Sequence, residues 1–338
     1  MLTRVMPSLV LLAAAMVASL APQAAAQADG GTVFKAGLKP GAEMNYSVGQ
    51  RMRIDQRQTR PAEEEGAAPV ATAVSESFAQ AARVQLKVDS VAADGAAVVN
   101  ARVTDLVLFA RTQTRTARFV GGPAAGSLEL AGDDDVKNSE DDEGLGAIGK
   151  ALMDAEIRLS VDASGAVTEV AGLDGMMEAL AAQQSFTLGG ENPVPDSRVA
   201  GIFGAENVGD VLTRLFQVDG ANTTARRQGA AWQTERVIPI PPVGAIGITH
   251  NWSFDSLNEG TATLNGVMSM EIRRAENVPE TVATVELGEH EGKTVVLWDT
   301  AAGALVRRTT RQEVGSVWKL GTLTVTQSQS TLLDLQRD

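Results

Sequence analysis

The stretch "VQLKVDSVAADGAAVVNARV", residues 84–103, carries the pattern that decides the fold. Apolar and polar residues alternate on both sides of Asp94-Gly95. Period-two alternation is typical of a strand with one buried and one wet face, and Asp-Gly between two such runs favours a tight turn. The stretch therefore predicts an antiparallel β-hairpin. Its alternating apolar residues are Val84, Leu86, Val88, Ala97, Val99, Ala101 and Val103.

The same alternation recurs along most of the chain and predicts further strands. The polar stretch 59–77 predicts an exposed loop, and "GEHEGK", residues 288–293, predicts an exposed hairpin turn that contains His290. The predicted strands cover residues 43–55, 78–91, 96–116, 157–161, 167–170, 232–238, 246–257, 261–272, 281–287, 294–298, 305–313 and 318–333.

The period changes to three or four residues in the middle of the chain. Leu173, Met176, Met177 and Leu180 follow the i, i+3, i+4, i+7 spacing of an amphipathic helix, and a second helix is predicted over residues 197–217. The fold class is therefore mainly β (α+β), with antiparallel sheets and one or two helices packed against a sheet.

Two pairs of hairpins resemble each other in sequence and occur in the same order. Residues 84–103 resemble 248–268, and residues 158–170 resemble 295–308. The pairs favour two related β-meander units, although any antiparallel protein contains hairpins of this kind. The predicted organisation is an N-terminal β-rich unit (29–171, with an acidic loop at 121–143), a helical segment (172–217) and a C-terminal β-rich unit (218–338).

The N-terminus has the pattern of a secretory signal peptide. Arg4 precedes an apolar run, and "APQAAAQADG" supplies small residues for cleavage. We expect residues 1–28 to be a cleaved signal peptide and the protein to be periplasmic or secreted; an uncleaved anchor is the alternative. No later apolar run is long enough for a membrane-spanning helix, so we expect no stable membrane insertion.

Charge and composition exclude several classes of function. The net charge is −13, which opposes binding to nucleic acid. The chain has no cysteine, so it has no disulfide and no thiolate metal site. We expect no cofactor and no bound metal.

The stretch Gly144–Lys150, "GLGAIGK", has the letters of a phosphate-binding loop but not its context. Ala151 stands where such a loop needs Ser or Thr, and the acidic residues 133–143 that precede it would repel a phosphate. Leu145, Ile148, Leu152 and Met153 instead lie on one face of a helix, so the stretch predicts a short amphipathic helix.

No catalytic residue is predicted. There is no G-x-S-x-G motif, and the two histidines, His250 and His290, lack the spacing of a zinc site. Four residues on predicted C-terminal strands are candidates for binding an apolar ligand; the alternative is that the tryptophans fill a core otherwise rich in Ala and Val. The candidates are Trp232, His250, Trp252 and Trp298.

Several motifs resemble a family of uncharacterised bacterial exported β-rich proteins, classed as a domain of unknown function. They are "LKPGAEMNYSVGQRM" (38–52), "VDASGAVTEVAGLDGM" (161–176), "VLTRLF" (211–216), "GAAWQTE" (229–235) and "LWDTAAGALVRRTTRQE" (297–313). Members often have G-D-x-W before the mid-chain tryptophan, whereas this chain has "RRQGAAW". The resemblance implies export and a β-rich topology, and it implies no activity.

These observations lead to one expectation of function and two alternatives. We expect an exported non-catalytic protein that binds an apolar small molecule or an envelope protein. A structural or assembly protein of the cell envelope without a ligand is the first alternative, and a hydrolase is the second.

Overall fold

The computed structural model describes residues 31–61, 68–111, 116–128, 140–141, 143–182, 205–240, 244–275 and 283–338. Antiparallel strands dominate this part of the chain, which confirms the predicted mainly β class. The strands are β1 (Glu43–Arg60), β2 (Val70–Val91), β3 (Ala97–Arg111), β4 (Thr116–Gly121), β5 (Glu140–Asp141), β6 (Ile157–Val161), β7 (Val167–Ala171), β8 (Ala231–Ile240), β9 (Gly244–Asn258), β10 (Thr261–Arg274), β11 (Ala283–Asp299), β12 (Ala304–Leu320) and β13 (Leu323–Arg337). The helices are α1 (Glu143–Asp154), α2 (Asp174–Ala182) and α3 (Ala205–Phe216).

All the described strands belong to one open sheet. Its order is β4-β3-β2-β1-β13-β12-β11-β10-β9-β8, with β6 also pairing β3, β7 pairing β6, and the short β5 parallel to β4. The central pairing joins β1 to β13, with Tyr46 opposite Arg337 and Thr59 opposite Thr324. Strands from the two predicted β-rich units therefore share a single sheet, and β8 forms one edge of it.

One face of this sheet, called the inner face below, packs against the helices and forms the main core. Leu86, Leu264 and Leu335 lie on different strands of this face and are fully buried. Helix α1 adds Leu145 and Ile148, and helix α3 adds side chains that include Phe216. Burial of this apolar surface is the main favourable term in folding.

Helix α3 shows that the sheet is curved. It contacts both β7 and β12, which are six strand-to-strand steps apart in the sheet. In a flat sheet those steps would span about 29 Å at about 4.8 Å each, whereas α3 is about 10–12 Å across and, with its 12 residues, about 18 Å long. The inner face must therefore bend around α3.

Residues 31–37, called the strap below, cross one end of the inner face. The backbone of Phe34 donates to the carbonyl of Ala221 (2.8 Å) and accepts from the N–H of Val218 (2.9 Å). Its ring is fully buried and meets Phe254 and Trp298 edge-on, at centroid distances of 5.2 and 6.4 Å. The strap thus closes the end of the sheet at which β1 begins and β13 ends.

The sequence predictions for residues 281–298 were wrong in one respect. The two predicted strands form the single strand β11, with a register shift between Leu287 and His290. His290 therefore lies at a bulge inside a strand and not in a hairpin turn. Gly288 and Gly315 lie close together beside this bulge, because neither has a side chain to separate the two backbones.

The predicted loop at 59–77 has wrong bounds, and the predicted break before residue 318 was wrong. Strand β1 continues to Arg60 and β2 begins at Val70, while residues 62–67 lie outside the described part of the chain. Strand β12 continues to Leu320, and the turn follows at Gly321, whose φ of 58° favours glycine. Polar residues on exposed strand ends weaken the alternation from which strands are predicted.

The predicted short helix at 145–153 is confirmed, and it contains the glycine-rich stretch. Helix α1 begins at Glu143, so Gly144–Lys150 lies inside a helix and not in a loop before one. Leu145, Ile148 and Leu152 are buried, as predicted. A Cβ at Gly149 would overlap the ring of Phe119 on β4, so this glycine allows the helix to approach the sheet.

Other predictions fall partly outside the described residues. The first mid-chain helix is confirmed as α2, and the second is observed as α3 from Ala205 onward. Residues 1–30, which include the predicted signal peptide, and residues 129–139 of the acidic loop lie outside the described part of the chain. Among the described residues, no helix is long and apolar enough to cross a membrane.

The two glycines of α1 give a matched test of its packing. Gly149→Ala should lower the free energy of unfolding by about 1–3 kcal/mol, because the new methyl group overlaps Phe119. Gly146→Ala should raise it by up to about 1 kcal/mol, because Ala favours helix and the nearest ring atom would be 3.9 Å away. Urea unfolding measures both, and equal effects would contradict the contact between α1 and Phe119.

The strap should contribute strongly to stability. We expect Phe34→Ala to lower the free energy of unfolding by about 3–5 kcal/mol, since it leaves a cavity between Phe254 and Trp298. Val267→Thr, at a half-exposed position of β10, should change it by less than about 0.5 kcal/mol. A mild effect of Phe34→Ala would show that the strap is dispensable.

Candidate functional site

Three of the four predicted ligand-binding residues lie together on the inner face. Trp232 of β8 stands opposite Trp252 of β9, and their rings stack with centroids 6.2 Å apart. His250, two residues before Trp252 on the same strand, lies 6.3 Å from it in a stacked arrangement. Alternation along two neighbouring strands accounts for this cluster, because directly paired residues share one face of a sheet.

Trp298 lies apart from these three. It is fully buried on β11 against Phe34 of the strap. Its indole Nε1 is buried without a hydrogen-bond partner. This is a core position, in agreement with the alternative that the sequence left open for the tryptophans.

The two stacked indoles are held by hydrogen bonds from their N–H groups. Trp232 donates to the carbonyl of Asp219 (2.9 Å), and Trp252 donates to the hydroxyl of Thr234 (3.4 Å). The guanidinium of Arg226 lies 5.0 Å from the ring of Trp232, in a cation–π arrangement. The aromatic rings therefore have fixed positions between the chain segment after α3 and the sheet.

Arg308 completes the cluster, and the sequence analysis missed it. It lies on β12 opposite Val296 and Leu335, two core residues of the inner face. Its guanidinium carbon is 5.7 Å from the ring of Trp252. The residue is only 4% exposed, and its Nε and Nη1 have no hydrogen-bond partner. Burial lowers the pKa of Arg308 to about 10, so it remains charged at neutral pH.

The sequence does contain an indication that Arg308 faces inward, namely its place in the alternation of β12. Every second residue from Arg308 to Trp318 faces inward, and all are buried. Most residues of this row are polar, because it includes Thr310, Gln312 and Ser316. The row therefore does not alternate between apolar and polar residues in the way that reveals a buried face. Counting back in steps of two from Trp318 would have placed Arg308 inside.

The charges of two further arginines and two aspartates shift pKa values in this site. Burial lowers the pKa of Arg236 on β8 to about 10, with Asp210 and Asp219 opposing this shift and Arg214 of α3 adding to it. Arg214 also lowers the pKa of Arg308. Arg214, Arg236 and Arg308 are called the arginine cluster below.

Burial, with help from the arginine cluster, keeps His250 neutral. Burial lowers the pKa of His250, and the charges of Arg214, Arg308 and Arg236 lower it further, while Asp219 acts in the opposite direction. A protonated imidazole would add another positive charge to a half-buried place that already contains three. His250 therefore presents an uncharged ring with one donor and one acceptor nitrogen.

The arrangement brings aromatic rings, a neutral imidazole and positive charge together. Among the described residues, no group of three or more His, Asp or Glu side chains could hold a metal ion. His290, the other histidine, contacts the carbonyl of Gly288 through Nδ1 at 3.0 Å, at the bulge of β11.

Comparison with known families finds one match, in the middle of the chain. Residues 129–294 match the family model of DUF6263. This is a family of unknown function, and the match covers just under half of the chain. The predicted resemblance to a domain of unknown function is thereby confirmed. The DUF6263 range includes Arg214, Arg236, His250 and Trp252, and it ends before Arg308.

Comparisons outside DUF6263 give weak similarities. No curated protein matches the sequence. A structure of lipovitellin, solved for its lipid–protein interactions, aligns at 9% identity and a TM-score of 0.33 over 88% of this chain, which spans only 26% of the lipovitellin chain. An outer membrane channel of Pseudomonas putida F1 aligns at 8% identity and a TM-score of 0.17, over 90% of this chain and 98% of the channel. OccK7 (OpdD) of Pseudomonas aeruginosa aligns at 7% identity and a TM-score of 0.19, over 87% of this chain and 99% of its own.

The pKa of His250 makes a prediction about stability and pH. Because the pKa of His250 in the folded chain lies below its ordinary value of about 6.5, the unfolded chain takes up a proton that the folded chain does not. Stability should therefore fall as pH drops below about 6.5, by at most about 1.4 kcal/mol per pH unit for this one group. His250→Gln should lose that contribution, which urea unfolding at several pH values would measure.

The electrostatic cause of the lowered pKa of His250 can be tested with two substitutions of opposite expected effect. In NMR titrations of the His250 ring, Asp219→Asn should lower the pKa further and Arg214→Gln should raise it. Shifts in the same direction for both variants would contradict an origin in these charges.

Proposed function

We propose that this protein is an exported, non-catalytic binding protein that holds an apolar molecule against the inner face of its curved sheet. The observation that carries the proposal is a second apolar cluster, separate from the main core and buried on strands β8 to β12 next to the stacked aromatic rings. It consists of Ile238, Ile246, Ile248, Met268, Met270 and Val314. It is called the β8–β12 patch below.

The β8–β12 patch is continuous with the aromatic and charged site. Ile248 stands directly opposite Arg236, and Met268 stands directly opposite His250. Since paired residues share one face, a molecule lying on the patch would reach the rings of His250 and Trp252. Apolar surface with a few fixed polar groups is the usual character of small-molecule sites.

The composition of the patch suits a ligand of variable shape. It forms a cluster separate from the main core, and within the described residues all of its members and their partly buried neighbours come from strands. Two of its six members are methionines, whose flexible side chains adapt to irregular partners. The main core, by contrast, is filled by helix side chains and by the strap.

The same face of β12 also contains unsatisfied polar groups, next to the stacked aromatic rings. Arg308 Nε and Nη1 are buried without partners. Leaving such a group unpaired costs about 1–3 kcal/mol each, more for a charged one. A bound molecule with polar atoms in this region would recover part of that cost.

The test is to look for a co-purifying molecule. Protein isolated without detergent from its own host should show an excess mass in native mass spectrometry, and an organic extract should contain an apolar compound. Met270→Gln, which keeps the side-chain length but adds a polar group within the patch, should lower the occupancy at least tenfold. Val267→Gln, at the neighbouring half-exposed position of β10, is the matched control and should leave it unchanged.

Two results would overturn this proposal. One is a mass equal to that of the bare chain together with no binding of added fatty acids or their esters. The other is a stoichiometric protein partner recovered from envelope extracts whose binding is lost in Val267→Gln and kept in Met270→Gln, since this would place the function on the outside of the sheet.

A further inference from the structure

We propose that the arginine cluster and His250 form an anion-binding site that takes the carboxylate or phosphate head group of an amphipathic ligand. This inference rests on the proposed function, because the apolar part of the same molecule would lie on the β8–β12 patch. It adds the charge and the chemical class of the ligand, together with the residues that recognise it.

Arg308 is the centre of the site. An arginine that is 4% exposed ordinarily forms an ion pair, because an unpaired buried charge is strongly destabilising. Two of its three guanidinium nitrogens have no partner. The face of Trp252 lies 5.7 Å from the guanidinium carbon, in a cation–π arrangement. The ring face compensates only part of the hydration that the guanidinium loses on burial. The two nitrogens without partners therefore still lack a hydrogen-bonding counter-ion.

Arg214 and neutral His250 lie near Arg308. Helix α3 contacts β12 and brings Arg214 toward Arg308. On the sheet, His250 lies two residues from Trp252, over which Arg308 stacks. Arg236 acts on His250 electrostatically and stands opposite Ile248, the next inward residue of β9. The arginine cluster and His250 thus involve helix α3 and strands β8, β9 and β12.

Arg308 carries a buried charge that forms no ion pair among the described residues. Asp219 is the described acidic group that acts on it through space, and Nε and Nη1 of Arg308 have no hydrogen-bond partner. The whole chain carries −13, so a buried arginine without an ion pair runs against the average of the molecule. An anion is the ligand that would neutralise it.

The chemistry of arginine narrows the anion to a carboxylate or a phosphate. The guanidinium presents a planar fork of N–H donors that matches two oxygens of either group. Arg308 has Nε and Nη1 without partners. Neutral His250 can add one N–H donor to the same oxygens.

The position of the site relative to the patch fits an amphiphile. Arg308 and Val314, a member of the patch, lie on the same face of β12, six residues apart. At about 3.3 Å per residue they are about 20 Å apart along the strand. A molecule with an anionic head at Arg308 would therefore extend its apolar part across the patch.

The experiment compares four probes on the full chain after removal of bound lipid. Hexadecanoate and hexadecyl phosphate should bind, as measured by calorimetry and by a change in tryptophan fluorescence from Trp232 and Trp252. The methyl ester of hexadecanoate has the same chain without the charge and should bind at least tenfold more weakly. Inorganic phosphate alone should also bind at least tenfold more weakly than hexadecyl phosphate.

Variants of two adjacent arginines distinguish specific binding of the head group at Arg308 from a nonspecific effect of removing one positive charge. Arg308→Met should weaken hexadecanoate at least tenfold and leave the methyl ester unchanged, whereas Arg308→Lys should give an intermediate loss because the fork is missing. Arg307→Met is the matched control: Arg307 is half-exposed and pairs with Asp334 at 2.8 Å, so this variant should bind as wild type does.

The stability of Arg308→Met adds a second readout. A ligand-binding arginine without a partner costs the empty protein stability, so lipid-free Arg308→Met should unfold at the same or a higher urea concentration than lipid-free wild type. A marked loss of stability would show a structural role for Arg308 and would overturn the inference.

The outcomes distinguish this inference from the proposed function. Equal affinity for the acid and its ester would overturn the anion site and leave the apolar binding function intact. No binding of either amphiphile would overturn the proposed function. Inorganic phosphate binding as tightly as hexadecyl phosphate would overturn the head-group assignment, because it would show a site for a free anion.

Discussion

The pairing of β1 with β13 is the constraint on which the architecture depends. Strands β1 to β3 and β8 to β13 each follow one another as hairpins, which form between neighbouring segments of chain. The ladder from Tyr46–Arg337 to Thr59–Thr324 joins these two runs into one sheet. It brings together residues nearly the whole chain length apart, and pairings of that kind form slowly because loop closure precedes any gain from contacts. Once formed, the ladder sets β12 near the middle of the sheet, under helix α3.

The local parts of this fold could be predicted from the sequence, and the long-range parts could not. Gly95 and Gly165 adopt the positive φ that their hairpin turns require, at 93° and 91°, and both turns follow an Asp whose side chain accepts backbone N–H groups. Such turns depend on a few adjacent residues. The bulge before His290 broke the alternation of β11, and this made one strand look like two. Nothing local marks β13 as the partner of β1.

The candidate site also has one part that could be predicted from the sequence and one part that could not. Trp232, His250 and Trp252 alternate with polar residues, so the shared face of β8 and β9 could be predicted. Arg308 and Arg236 could not, because a charged residue within a strand ordinarily faces water. Their inward orientation follows from the register that neighbouring strands impose, and the burial follows from the bend of the sheet around α3. The inward orientation of these two arginines thus depends on tertiary structure and not on local sequence.

An open sheet has a further consequence at its free edge, β8. A terminal strand exposes a row of N–H and C=O groups that could template the addition of a strand from another molecule. Pro239 removes one of the donors from this row, and Glu235 and Arg273 place an ion pair on the outer surface beside it. Any incoming strand would have to dehydrate these charges and leave a carbonyl without its donor. The edge therefore resists the cross-β stacking that leads to fibrils, even though most of the described residues lie in strands.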